Sequence, residues 1–310
     1  MKDSDLHQQP QGLDLLVEQL KKHYDEQTRE VILSGMREKR IVSLRVNPLK
    51  SSIEEVKRVL KENRISFEPV SWYEEALIIN ALESDIEKLS IYEQGHIYLQ
   101  SLSSMIPALI LEPKAKQTIL DMAAAPGGKT TQLAALTQDQ ASITATEAHP
   151  IRAEKLKFNV LRQGVKRISI LIKDARQLDP YFSFDRILLD APCSGSGTIF
   201  IDQPKSYQYF SAKLIEKSVE TQKALLRKAV ELLKPGETMV YATCSILPEE
   251  NEFQIKHILK TGLVELEPID QHMWDLLPSL PSKVPGTLLI APNAQFEGFY
   301  IAKLKKKIKK

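Results

Sequence analysis

Cys193 and Cys244 are the two cysteines of the 310-residue sequence, and each directly follows a hydrophobic run. The runs are Ile-Leu-Leu-Asp-Ala-Pro-Cys-Ser-Gly-Ser-Gly at 187–197 and Met-Val-Tyr-Ala-Thr-Cys-Ser at 239–245. Most free cysteines are small buried apolar residues. Both of these fall where a strand would end, so two neighbouring strands would bring both thiols to one cleft. Backbone N–H groups from Ser194 to Gly197 would favour a thiolate, the nucleophilic form of cysteine. A helix beginning near Pro248 would do the same, although Glu249, Glu250 and Glu252 offset its positive end. With no CxxC pair and no ligand spacing among six histidines, neither a disulfide framework nor a metal site is expected. Zinc deaminase chemistry would need a cysteine at 196, where Ser196 stands.

A second constellation lies at 118–132, where Thr-Ile-Leu-Asp-Met-Ala-Ala-Ala-Pro-Gly-Gly-Lys-Thr-Thr-Gln reads as a buried strand, a small-residue loop and a helix start. Gly127 and Gly128 allow a ligand close to the backbone, and the helix N-terminus offers unpaired N–H groups. Gly128-Lys129-Thr130 imitates a P-loop, but the glycine required five residues earlier is Ala123. The dinucleotide pattern G-x-G-x-x-G is absent as well. What remains suits a zwitterionic ligand tail rather than a triphosphate. Glu147 closes Ser-Ile-Thr-Ala-Thr-Glu about twenty residues on, where a carboxylate can take both ribose hydroxyls. Asp174 ends Ile-Ser-Ile-Leu-Ile-Lys-Asp and can meet an adenine amino group.

The elements that must position these residues follow from periodicity. Residues 1–12 are polar and expected to be without regular structure. Helical spacing at Leu13, Leu16 and Leu20 runs to about Tyr24, and Val31 to Leu33 suggest a second short helix. A strand is expected at 41–47, an amphipathic helix through Ile53, Val56 and Leu60, and extended segments at 65–70 and 76–79. A helix from Tyr98 to about Leu111 would lead into the catalytic half. From residue 117 strands and helices alternate, with strands ending near Asp121, Glu147, Asp174, Asp190 and Cys244 and two more at 263–268 and 298–304. That alternation argues for an α/β fold with a parallel sheet covered on both faces, binding its ligand at the carboxyl ends of the strands. The proline-rich stretch 278–292 reads as a surface loop over the sheet.

With 43% apolar residues the chain can bury well-packed cores, and it contains neither an apolar run of about 18 residues nor a signal peptide at its start. A soluble, cytoplasmic, monomeric protein without membrane contact is expected. The net charge of +2 conceals six lysines within 303–310, without which acidic residues outnumber basic ones, 40 to 36. Any nucleic-acid contact is therefore local. The lysine tail is either a solvated end or an RNA contact.

Taken together, Asp-Met-Ala-Ala-Ala-Pro-Gly-Gly-Lys (121–129), Asp-Ala-Pro-Cys-Ser-Gly-Ser-Gly (190–197) and Tyr-Ala-Thr-Cys-Ser-Ile-Leu-Pro-Glu-Glu-Asn-Glu (241–252) resemble the RsmB/NOP-type RNA 5-methylcytosine methyltransferases. Weaker matches lie at 44–50, 95–101 and 297–302. The resemblance implies a Rossmann-like class I methyltransferase sheet with a small N-terminal α+β domain of RNA-recognition type. The corresponding division is 1–112, 113–304 and a basic tail at 305–310. It implies S-adenosylmethionine as cofactor, held by the loop Ala123, Ala124, Ala125, Pro126, Gly127, Gly128 and Lys129 and by Glu147, Arg152, Asp174 and Asp190. The expected reaction is methylation of cytosine C5 in RNA, ribosomal RNA before transfer RNA, with no metal. Cytosine C5 is too weak a nucleophile to take a methyl group until a thiolate adds to C6. The resemblance assigns that attack to Cys244, release to Cys193, assistance at N3 to Asp190 and a supporting place to Lys129. DNA cytosine methyltransferases attack with the Pro-Cys cysteine, here Cys193, and chemistry alone leaves the two assignments open. Many relatives carry a further PUA-like domain after the last strand. Without it, the N-terminal domain and the lysine tail are expected to supply most of the grip on RNA outside the cleft. A catalytically idle RNA-binding assembly factor is the alternative of another class; Asp190, Cys193 and Cys244 together count against it.

Overall fold

The computed structural model describes residues 11–308, so the expectation for 1–10 and the last two lysines lie outside the described residues. Gln11 and Gly12 were expected to be irregular, yet Gln11 bridges Ser211 and Gly12 opens helix α1 (Gly12–His23), its N–H donating to the Phe210 carbonyl at 2.9 Å. Helix α2 (Glu26–Gly35) is capped by Asp25, which accepts from the Thr28 N–H. Strand β1 (Val42–Val46) leads to helix α3 (Ile53–Glu62), capped by Ser52 with Glu54 and Glu55 in its first turn, as the macrodipole favours. Val56 and Leu60 of α3 bury against Leu44, Val46, Leu77 and Ile79. Strands β2 (Ser66–Val70) and β3 (Tyr73–Asn80), short helices α4 (Glu83–Ile86) and α5 (Ser90–Glu93) and strand β4 (Ile97–Leu99) complete a four-stranded antiparallel sheet in the order β2-β3-β1-β4. The helix expected from Tyr98 begins only at Leu102, because Ile97 to Leu99 pair with Val46 to Leu44 and become a strand.

Helix α6 (Leu102–Leu111) enters the larger sheet, which comprises β5 (Thr118–Asp121), α7 (Gly128–Leu136), β6 (Ser142–Thr146), α8 (Pro150–Arg162), β7 (Ile168–Leu171), β8 (Phe184–Asp190), α9 (Ala212–Leu232) and β9 (Leu233–Thr243). Beyond these come α10 (Glu252–Leu259), β10 (Val264–Glu267), α11 (Gln271–Asp275), β11 (Ser279–Leu280), β12 (Leu288–Ile290) and β13 (Phe299–Lys306). Strands β7-β6-β5-β8-β9 run parallel, and β13, β12 and β11 extend the edge antiparallel, with β10 on β13. The stretch 278–292 is thus not a loop over the sheet. Leu280 and Leu288 to Ile290 are buried sheet residues. Among the described residues no helix is long and apolar enough to cross a membrane.

Alternation within strands fills both faces. Leu189 and Tyr241 pack with Leu226 of α9 and Ile255 of α10, while Leu188 and Val240 pack with Met105 of α6 and Leu133 of α7. Leu16 and Leu20 of α1 and Ile32 of α2 join the first of these cores, so the first two helices serve the larger sheet although they precede the smaller one in sequence. The chain order reverses between β5 and β8. At such a switch point two loops part and leave a crevice above the strand ends.

Candidate active site

The loop after β5 fills that crevice. Gly127 has a φ of 110°, which favours glycine, and a Cβ there would stand a tight 3.1 Å from Leu156 Cδ1. The first-turn N–H groups of α7, at Gly128, Lys129 and Thr130, have no carbonyl one turn before them. Asp121 is buried, with Oδ2 accepting from the Thr130 hydroxyl at 2.6 Å and Oδ1 lacking a hydrogen-bond partner among the described residues. Burial and the nearby Asp190 charge push its carboxyl up to about 6, against the Thr130 hydrogen bond.

Two cavities meet at Ala123. One, of about 470 Å³, is lined by Met122, Glu147, Asp174, Pro192 and Cys193; the other, of about 240 Å³, by Tyr98, Gln100, Ser104, Asp121, Lys129 and Asp190. A wider groove of about 820 Å³ lies in the small domain beside Arg64 and Lys88 and does not reach the cysteines. Glu147, one residue past β6, is buried; its Oε1 accepts from the His149 N–H at 2.9 Å and its Oε2 lies 3.4 Å from Arg152. Arg152 also donates to the Ala125 carbonyl at 2.9 Å, tying the acid to the glycine loop. Asp174 sits differently from expectation. Strand β7 ends at Leu171, and Asp174 caps a single 3₁₀ turn, with Arg176 Nε donating to Oδ1 and Arg176 Nη2 to Oδ2. Those hydrogen bonds outweigh partial burial and hold its carboxyl below the usual range. It nevertheless faces the same cavity as Glu147.

Strands β8 and β9 are neighbours with Asp190 opposite Ala242, which brings the loops carrying the two cysteines together. Cys193 Sγ and Cys244 Sγ stand 3.2 Å apart, both half-buried. Beside them Lys129 Nζ donates to Asp190 Oδ2 at 2.6 Å and to Ser104 Oγ at 2.7 Å. Burial works to lower the Lys129 ammonium, but the charges of Asp190, Cys244 and Asp121 raise it above its ordinary value, so it remains a cation. The Cys193 thiol is pushed well up, first by its hydrogen bond with Cys244 and then by burial.

The support around the thiols departs from the sequence reading. The Ser194 N–H points to Glu250 at 2.7 Å and the Gly197 N–H to the Cys244 carbonyl at 3.0 Å, so neither is free. Gly195 supplies the N–H that does reach Cys193. Helix α10 begins at Glu252, and the acids expected to offset its dipole have other partners. Glu249 pairs with Lys22 and His23 of α1, and Glu250 turns inward to Ser194 and Ser245. Ser104 and Gln222 carry no motif of their own and were missed; Glu250 lay within the motif at 241–252 but was read only as a charge offsetting the helix, not as a partner of both cysteine loops.

A parallel sheet with a glycine loop at its switch point and two apposed thiols beside it defines a class I methyltransferase fold. Residues 108–305 match the family described as 16S rRNA methyltransferase RsmB/F, and 14–84 match the ferredoxin-like domain of RsmF/B-like methyltransferases. The chain belongs to the RsmB/F methyltransferase family. It is 37% identical over 274 residues to ribosomal RNA small subunit methyltransferase F of Aliivibrio salmonicida, covering 85% of this chain and 57% of that one. It is 36% identical over 274 residues to the tRNA (cytosine(49)-C(5))-methyltransferase of Pyrococcus abyssi, covering 85% and 88%. The solved structure of NSun6 from Pyrococcus horikoshii with SFG superposes with a TM-score of 0.84 at 25% identity, over 96% and 98% of the two chains. The chain therefore spans little more than half the length of its ribosomal relative.

Proposed function

We propose that this chain is an S-adenosylmethionine-dependent RNA cytosine-C5 methyltransferase working through a covalent Cys–C6 intermediate. The observation that carries the reading is the pair of sulfurs 3.2 Å apart beside the Lys129–Asp190 ion pair, at the mouth of a cofactor-type cavity. The residues present fit the cofactor. An ammonium suits the unpartnered Asp121 Oδ1, a carboxylate suits the open first turn of α7, ribose hydroxyls suit Glu147 and an adenine edge suits Asp174. SFG, found in the similar NSun6 structure, is an analogue of S-adenosylmethionine. When bound, the cofactor supplies an electrophilic methyl group.

The chain's own residues do the rest. Cys244 adds as thiolate to cytosine C6, which makes C5 an enamine carbon, while the proton held between Lys129 Nζ and Asp190 Oδ2 is available to N3. Once C5 is methylated, Cys193 takes the C5 proton and the Cys244–C6 bond breaks, restoring the aromatic ring. The small domain, β1 to β4 with α3 to α5, presents RNA to the catalytic part, whose core also takes in α1, α2 and α6, and the protein acts in the cytoplasm as a monomer.

Ribosomal RNA is the first substrate reading, by the names of most relatives. The same chemistry on transfer RNA is the second, because the chain matches 88% of the transfer-RNA enzyme's length and only 57% of the ribosomal one's. Bisulfite sequencing of both RNA pools from cells with and without the gene decides between them. The cysteine roles are tested on a denaturing gel with labelled RNA. Cys244→Ala should abolish methylation and leave no adduct, whereas Cys193→Ala should methylate once and stall as a retarded band. The band appearing with Cys244→Ala instead would reverse the roles, and unimpaired activity in both variants would remove covalent catalysis.

A further inference from the structure

The two cysteine loops share one buried acid. Glu250 Oε1 accepts from the Ser194 N–H at 2.7 Å and from Gln222 Nε2 at 3.3 Å; Oε2 accepts from Ser194 Oγ at 2.6 Å and Ser245 Oγ at 2.5 Å. Ser194 follows Cys193 and Ser245 follows Cys244, so a single carboxylate grips the residue next to each thiol. Gln222 of α9 extends the grip by donating to the Pro192 carbonyl at 2.9 Å. Glu250 has no exposed surface and no cation within ion-pair distance among the described residues. Burial raises its carboxyl above the usual value and the four donated hydrogen bonds oppose that rise. Its charge raises the Cys193 thiol, and Cys244 is among the charges that raise the Lys129 ammonium.

We propose that Glu250 is a positioning residue. Its carboxylate clamps the two cysteine loops together and sets a fixed negative charge beside Cys193, so that the resting proton of the pair stays on Cys193 and Cys244 is left to attack. This rests on the reading of the pair as covalent machinery and adds what divides the labour within it. The other bonds between the loops, Ser196 Oγ to Ser245 Oγ and Gly197 N–H to the Cys244 carbonyl, hold distance but bring no charge. When Cys244 is bonded to C6 its hydrogen bond and charge no longer act on Cys193, which removes the largest cause holding that proton. The Cys193 proton then passes to water in the cavity that Cys193 lines, and the resulting thiolate can take the C5 proton.

The groups facing Cys193 are Cys244 and Tyr241 from β9 and its loop, Glu250 before α10, and across the cavity Glu147, His149, Arg152, Asp174, Arg176 and Lys217. The test is pulse alkylation with iodoacetamide on the full-length protein between about pH 6 and 10, each cysteine being followed by peptide mass spectrometry. In the wild type Cys244 should label first and Cys193 only at higher pH. Glu250→Gln keeps the shape and removes the charge. It should move the Cys193 profile down by about one pH unit, a tenfold gain in labelling at fixed pH. Glu250→Ala should in addition slow methylation at unchanged cofactor affinity, with partial rescue by Glu250→Gln. An unmoved Cys193 profile in folded Glu250→Gln, or Cys193 labelling first in the wild type, overturns the proposal. Failure of the underlying reading shows itself separately, as methylation that survives Cys244→Ala.

Discussion

Glu147 shows how one side chain joins cofactor affinity to loop geometry. Its Oε2 is near Arg152, which in turn holds the Ala125 carbonyl, so on the proposed reading removal affects both the ribose site and the glycine loop. Glu147→Ala should weaken S-adenosylmethionine binding by about 1.5–3 kcal/mol, the scale of hydrogen bonds to charged groups, and calorimetric titration reads it directly. Asp121 supplies a pH signature. Burial places its carboxyl at about 6 in the folded chain against 3.8 ordinarily. Between those values the folded state binds more protons than the unfolded one, so this group's contribution to stability falls as pH rises through that window. Asp121→Asn removes the penalty and should gain on the cofactor-free wild type by up to about 3 kcal/mol between pH 4 and 6.5, measured by urea unfolding. A difference that stays constant with pH would mean that Asp121 is ionised throughout. Of the residues that carry the site, Asp190, Cys193, Cys244 and the glycine loop were legible because each motif lies within one strand and the turn after it. The role of Glu250 was not, although it stands in the motif at 241–252, since Ser194 and Gln222 are 56 and 28 residues away and only Ser245 is local.

At the scale of elements the same distinction between local and distant pairing decides what the sequence reveals. Strand β1 and helix α3 announce themselves by alternation and by the i, i+3, i+7 spacing of Ile53, Val56 and Leu60. Strand β4 imitates the start of a helix and becomes a strand only through β1, more than fifty residues earlier in the chain. Strands β11 and β12 hide among prolines for a like reason, because pairing with β13 makes Leu288 to Ile290 part of the sheet. Arg45 on β1 is the clearest product of such long-range assembly. Fully buried, it donates to Gln100 Oε1 at 2.8 Å, to the Gly128 carbonyl at 2.9 Å and to Thr131 Oγ1 at 2.9 Å, joining the small sheet to the first turn of α7. Burial lowers its guanidinium to about 10, which leaves it a cation at neutral pH. Arg45→Met keeps most of the volume and deletes all three bonds. It should cost about 3 kcal/mol in urea unfolding, the scale for unpairing buried polar groups around a lost charge. It should also weaken cofactor binding, because the Gly128 carbonyl loses its restraint. Lost stability with unchanged cofactor affinity would show that the small sheet supports α7 without shaping the loop.

For the whole molecule, the proposed reading has RNA gripped outside the cleft as well, and charge placement narrows where. The lysine-rich end is shorter than the sequence suggested, since β13 continues through Lys306 with Lys305 opposite Thr238 and Glu265. Lys303 is buried in ion pairs with Glu112 and Glu267, whose charges raise its ammonium against the lowering effect of burial. Lys306 donates to the Glu231 and Leu233 carbonyls. Half of the six lysines are therefore structural parts of the sheet edge, and truncation after Leu304 would unpair a strand rather than test a tail. The informative cut is after Lys307, which keeps β13 whole and removes Lys309 and Lys310. If those two lysines neutralise phosphates, the slope of log affinity against log salt should flatten by roughly 1.4–1.8, at about 0.7 to 0.9 for each phosphate no longer neutralised. Methylation at saturating RNA should be unchanged, because the cut leaves every described residue of the cleft in place. Filter binding across a salt series measures the slope. An unaltered slope assigns the tail to solvent and moves the expected RNA grip to the small domain, where Arg64 and Lys88 border the wide groove.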